Sequence, residues 1–113
     1  MTTGHRVVLC TVPSEEVGAD LARSLVAEHL AACVNIVPGL RSIYRYKGVL
    51  EDDRELLLVV KTSADCYPRL EQRIRELHPY EVCEVIALDV VAGSQPYLDW
   101  LTQETSVAHS VRL

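Results

Sequence analysis

Between Val82 and Val91 the chain places apolar side chains at both parities of an extended backbone. Val82, Ile86, Leu88 and Val90 fall on one side, and Val85, Ala87 and Val91 on the other. A strand alternates its side chains between two faces, so this segment needs cover above and below. The sequence offers only two long amphipathic helices, and a pair of helices packs over one face of a sheet. The second face must be covered by something else, and a copy of the same chain is the economical candidate.

The other elements follow from periodicity and punctuation. Residues 6–12 (Arg-Val-Val-Leu-Cys-Thr-Val) are too few for a helix and rich in β-branched side chains, which predicts the first strand. Ser14 is placed to cap a helix whose first turn carries Glu15 and Glu16. Val17, Leu21 and Leu25, with Ala22 and Val26 beside them, give that helix its core stripe as far as about Leu30. Residues 32–36 begin a second strand, and Pro38-Gly39 breaks it, which suits an edge position with a bulge or bend. Strand character resumes over 42–46. Gly48 and the Glu51-Asp52-Asp53 cluster then predict a turn into a third strand, 55–61. Leu56–Val60 is apolar without alternation, as expected of a central strand buried on both faces. Ser63 or Asp65 opens a second helix with Tyr67, Leu70, Ile74 and Leu77 on one face, and His78-Pro79 stops it. The fourth strand spans 82–91, and Pro96 starts a short third helix with Tyr97, Leu98 and Leu101. The order βαββαβ plus a helix predicts one α+β domain over residues 1–113, a ferredoxin-like sandwich with an antiparallel sheet ordered 4-1-3-2.

Composition narrows the function classes. A net charge of −5 and a pI near 5.3 argue against nucleic acid, whose phosphates call for clustered Lys and Arg. No apolar stretch approaches the ~20 residues that span a bilayer. The polar start, Met1 to Arg6, does not read as a signal peptide. Four cysteines, Cys10, Cys33, Cys66 and Cys83, lie far apart with no paired spacing, so reduced thiols in a cytoplasmic protein are expected.

A collinear series of motifs adds a resemblance. Leu9-Cys10-Thr11-Val12-Pro13, Leu30 to Asn35 leading to Pro38-Gly39, Ser42-Ile43-Tyr44 and Gly48 make up its first half. Lys61-Thr62, His78-Pro79-Tyr80-Glu81 with Glu84, and Tyr97-Leu98-Trp100-Leu101 complete it. From about Val7 to Leu101 the chain resembles the CutA divalent-cation tolerance family. The resemblance implies a homotrimer whose sheets pack around a central axis, and a copper-binding role proposed for some members. Three positions depart from the family pattern. Cys83 stands where a proline is common; Leu77 precedes a single His78 where some copper-binding members have two histidines; Tyr46 replaces a frequent Trp.

Topology brings chemistry together at one end of the sheet. The end of the first strand lies beside the start of the fourth, so Cys10 and Thr11 should approach Val82–Glu84, with His78 and Tyr80 on the loop before. Cys10, His78 and Cys83 are therefore the candidate metal ligands, because soft sulfur and imidazole suit copper. Each has a plainer reading: Cys10 as a buried small hydrophobe, His78 as a helix C-terminal cap, Cys83 as a side chain turned away. Glu81 and Glu84 read as edge charges or as the lining of a cleft between subunits, and Lys61 as a cleft cation or a solvated strand end. His29 reads as a solvated residue; Cys33, Cys66 and Trp100 read as packing residues. No nucleophile elbow accompanies Cys10, so no enzyme is expected. Two or three ligands per chain cannot close a structural site, so any metal is expected to be labile. The rival reading is a trimeric small-molecule sensor or scaffold, by analogy with the PII signalling proteins.

Overall fold

The computed structural model describes residues 2–106. Its elements are β1 (His5–Val12), α1 (Glu15–Ala27), β2 (Cys33–Tyr46), β3 (Val49–Ser63), α2 (Tyr67–Leu77), β4 (Ile86–Asp89) and α3 (Gln95–Glu104). They form a four-stranded sheet ordered β2-β3-β1-β4, with every neighbouring pair antiparallel. This is the expected α+β, ferredoxin-like arrangement with β1 and β3 in the centre.

Local chemistry fixes the ends. Ser14 accepts a hydrogen bond from the Val17 backbone N–H at 3.2 Å, which starts α1. The helix stops earlier than the apolar stripe suggests. His29 turns into the left-handed region at φ 59, and the N–H groups of Leu30 and Ala31 both reach back to the Leu25 carbonyl. The Ser63 hydroxyl accepts from the Cys66 N–H one turn before α2, so the expected cap acts a little upstream of the helix. His78 leaves α2 in an extended conformation, as Pro79 requires.

Two expectations change. The turn into β3 does hold Gly48 but not the acidic cluster: Lys47 and Gly48, both at positive φ, close a two-residue hairpin in which Tyr46 faces Val49. Glu51, Asp52 and Asp53 are strand residues, and Arg41 makes a two-pronged contact with Asp52 across the ladder at 2.7 and 2.8 Å. The expected bulge in an edge strand is present at Pro38-Gly39, where a register shift between Val37 and Leu40 absorbs the pair and β2 runs on to Tyr46. β4 is shorter than expected, four residues paired with Arg6–Leu9.

The core lies between sheet and helices. Val8, Cys10, Val12, Leu58 and Val60 meet Leu21 and Leu25 of α1 and Leu70 and Ile74 of α2, with Val85 and Ala87 packed alongside. The opposite sheet face is only partly covered. α3 closes one end of it through Ala32, Leu98 and Leu101, with Val90 packed against them, and through the hydrogen bond from Ser63 to the Thr105 carbonyl. Elsewhere on that face Ile86 and Leu88 stay about half exposed, opposite Leu9 and Val7. Val91, expected within the strand, lies beyond it and is exposed.

Candidate functional site

The β2–β3 hairpin outruns its neighbour. β1 ends at Val12 opposite Leu56, so β3 from Val49 to Glu55 has no β1 partner on that side. The loop after α2 comes in beside this step and leaves a cleft of about 730 Å³. Its walls include Thr11, Tyr44, Asp53, Glu55, Tyr80 and Glu84. Lys47 at the hairpin tip lies 4.0 Å from Glu81 across the mouth, an exposed and weak pair.

His78 ties that loop to β1. The ring is buried; Nε2–H donates to the Thr11 carbonyl at 2.7 Å, and Nδ1 accepts the Tyr80 backbone N–H at 3.1 Å. The Tyr80 ring packs on the imidazole with centroids 4.7 Å apart, and its hydroxyl donates to Glu55 Oε2 at 2.7 Å. Glu55 is only 5% exposed. Burial, then the hydrogen bond to Glu55, raises the Tyr80 phenol above its ordinary range, so it remains a donor. Tyr44 donates to Asp53 at 2.5 Å, and that bond pushes its phenol up to about 12. The cleft is thus walled by carboxylates held by neutral phenols.

Cys10 sits elsewhere. Its side chain is fully buried on the helix-facing side of β1, whereas Thr11 borders the cleft. Burial first, then Cys83, Glu84 and Glu55, push its thiol up to about 12. Alternation persists through 82–88: Val82 and Glu84 border the cleft, whereas Cys83 and Val85 face the core and a groove beside Glu71 and Glu76 of α2. Cys10, Cys83 and His78 therefore share a neighbourhood, as the topology implies. Among the described residues, no group of three or more His, Cys, Asp or Glu side chains is arranged to hold a metal ion. Lys61 lies away from the cleft, donating to the Asn35 side-chain oxygen near Cys33. His29 is not a simple solvated residue: its Nδ1 meets the Glu104 carbonyl at 3.1 Å. The sequence alone marks neither Asp53 nor Glu55 as a site residue: Asp53 falls in the expected turn, and Glu55, although expected at the start of the third strand, has no motif that sets it against Tyr80. A turn confined to Lys47-Gly48 is the signal that extends β3 back through Asp53.

No helix among the described residues is long and apolar enough to cross a membrane. The family model for the CutA1 divalent ion tolerance protein matches residues 6–104. A divalent-cation tolerance protein CutA from Thermus thermophilus is 57% identical over 101 residues, covering 89% of this chain and 98% of that protein. The human protein CutA is 48% identical over 102 residues, and there this chain spans 57% of the relative's length. Among solved structures, the Thermus thermophilus protein superposes with a TM-score of 0.88 at 55% identity, covering 90% of this chain and 99% of the other. CutA from Xylella fastidiosa gives 0.90 at 36% identity, covering 92% and 100%. With almost the whole described chain matched in sequence and in fold, it belongs to the CutA1 divalent ion tolerance family.

Proposed function

We propose that the chain serves divalent-cation tolerance as a non-enzymatic homotrimer in the cytoplasm that takes up copper or another divalent cation weakly and reversibly. The observation that carries the reading is the acidic cleft at the edge of an incompletely covered apolar sheet face. Asp53, Glu55, Glu81 and Glu84 together lower the local potential and concentrate cations without imposing a coordination sphere. Oxygen donors of this kind suit hard divalent ions, and they bind copper(II) without the selectivity thiolates give copper(I). Self-association is supported by Ile86 and Leu88, half exposed on the face that the helices leave open. The non-enzymatic reading is supported by Cys10, whose thiol stays protonated at neutral pH, and by His78, whose two ring nitrogens are already engaged. Four free thiols suit a reducing compartment.

A second reading is a trimeric small-molecule sensor or scaffold. It is favoured by the size of the cleft, within the ~300–1,000 Å³ of ordinary ligand sites, and by its tyrosine walls. Calorimetric titration with Mn²⁺, Zn²⁺ and Cu²⁺ separates the two. The first reading expects weak binding that falls several-fold in Glu81→Gln/Glu84→Gln. Absence of any cation heat leaves the second. Light scattering should give three times 12.6 kDa; a mass of one chain at micromolar concentration rejects the trimer in both.

A further inference from the structure

We infer that Cys10 and His78 are not copper ligands in this chain, and that His78 is instead the positioning residue that sets the cleft wall through Tyr80 and Glu55. The inference goes beyond the proposed function, and it stands or falls whether or not cations bind the carboxylates.

The two candidate ligands point into different surroundings. Cys10 belongs to the helix-facing core with Leu25, Leu70 and Ile74, with no exposed surface through which an ion could reach its sulfur. His78 has no spare lone pair. A metal at Nδ1 must displace the Tyr80 N–H, and a metal at Nε2 must displace a proton and strip the Thr11 carbonyl of its donor. Either change releases the loop that carries Tyr80. A buried polar group left without a partner is disfavoured, so the loop and the metal compete for one ring.

The same hydrogen bonds explain what the ring does. One nitrogen grips β1 and the other grips the first turn of the loop, so the imidazole fixes the loop's distance from the sheet. Tyr80, packed against that ring at an interplanar angle of 50°, then aims its hydroxyl at the Glu55 carboxylate, which is only 5% exposed. Without the clamp, Glu55 loses its phenol donor and the cleft loses its inner wall.

Ring nitrogen spectra by ¹H–¹⁵N NMR test this directly. The expected result is one protonated and one unprotonated ring nitrogen on His78, unmoved by one equivalent of Zn²⁺ or of copper(I) supplied from a competing chelator. Copper(I) affinity should stay within threefold in Cys10→Ser. His78→Ala should return the Tyr80 phenol toward ordinary ionisation in a spectrophotometric titration. His78→Asn keeps an acceptor for the Tyr80 N–H and should hold the phenol high, a rescue that general loss of stability would not produce. If His78→Ala does not fold, the ring spectra and the asparagine variant still decide. Metal-induced shifts of the His78 ring, a tenfold or greater loss of copper(I) affinity in Cys10→Ser, or a phenol in His78→Asn that titrates normally would each overturn the inference.

Discussion

Replacing Leu88 by Asp separates assembly from folding. Leu88 lies on the sheet face opposite the helices, paired with Val7, and 53% of it is exposed in the single chain. Burying a whole leucine contributes about 1.5–3 kcal/mol, so the remaining half contributes roughly 1 kcal/mol per subunit when a second copy covers it. An unpaired carboxylate in the same dry contact costs about 3–5 kcal/mol more. Repeated in each subunit of a trimer, the change should disfavour association by roughly 10 kcal/mol or more, several powers of ten in the association constant. In the isolated chain the same aspartate remains largely in water and should cost about 1 kcal/mol or less. Multi-angle light scattering and far-UV circular dichroism on one sample read both quantities. The expected outcome is a folded species of 12.6 kDa in place of one three times heavier. A variant that keeps the wild-type mass refutes the assignment of this face to the interface. A variant that unfolds refutes the claim that the chain's own core holds it.

Two further perturbations probe the body of the fold. A Cβ on Gly18 would lie 3.1 Å from Val12 Cγ2 and 3.5 Å from Leu58 Cδ2, so Gly18→Leu should overpack the α1–sheet contact at about 1–3 kcal/mol, lowering the thermal midpoint by about 4–8 °C per kcal/mol. An unchanged midpoint would show that α1 can move off the sheet freely. Cys10 is raised from 9.0 to about 12 in the folded chain, so its contribution is complete below about pH 9 and is lost as pH rises toward 12. Urea midpoints under reducing conditions should therefore fall more steeply between pH 8 and 10 in wild type than in Cys10→Ala; parallel curves would mean that Cys10 ionises in the native state.

The sheet order was legible because it depends on features a sequence carries: an uninterrupted apolar run over Leu56–Val60 and a proline-broken edge in β2. The position of the hairpin's turn and the full length of β3 were not, because Asp and Glu are poor strand residues by propensity. Asp52 is acceptable in β3 only because the Lys47-Gly48 turn sets a register that places Arg41 opposite its neighbourhood, close enough for a two-pronged contact. Register is a pairwise property, and the acidic run alone does not contain it. The length of β4 was overestimated for a related reason. Apolar alternation continues over 83–87, but hydrogen bonds need a partner strand, and the ladder with β1 closes at Leu9 and Ile86.

The neighbourhood of the site was legible; the face each side chain takes and the partners of the His78 ring were not. Antiparallel pairing of β1 with β4 suffices to bring Cys10, Cys83 and His78 to one end of the sheet. Whether they are ligands depends on which face each side chain takes and on whether a lone pair is free. Cys10 falls on the helix-facing parity, and both nitrogens of His78 are taken by main-chain groups of residues that no motif marks as partners. The cleft has a simpler origin in strand length. β3 continues seven residues past its last pairing with β1, from Leu56 back to Val49, and an uncompensated step in a sheet must be filled or left open. The loop held by His78 fills it partway, as far as Glu55. What remains open is acidic because Asp53 and Glu55 of β3 and Glu81 and Glu84 of the loop border it while Arg41, Arg45 and Arg54 do not, and it sits beside Thr11 on the face that α1 and α2 do not cover. A second copy packed on that face would border the cleft, so loss of assembly in Leu88→Asp should also change cation uptake although Leu88 does not line the cleft.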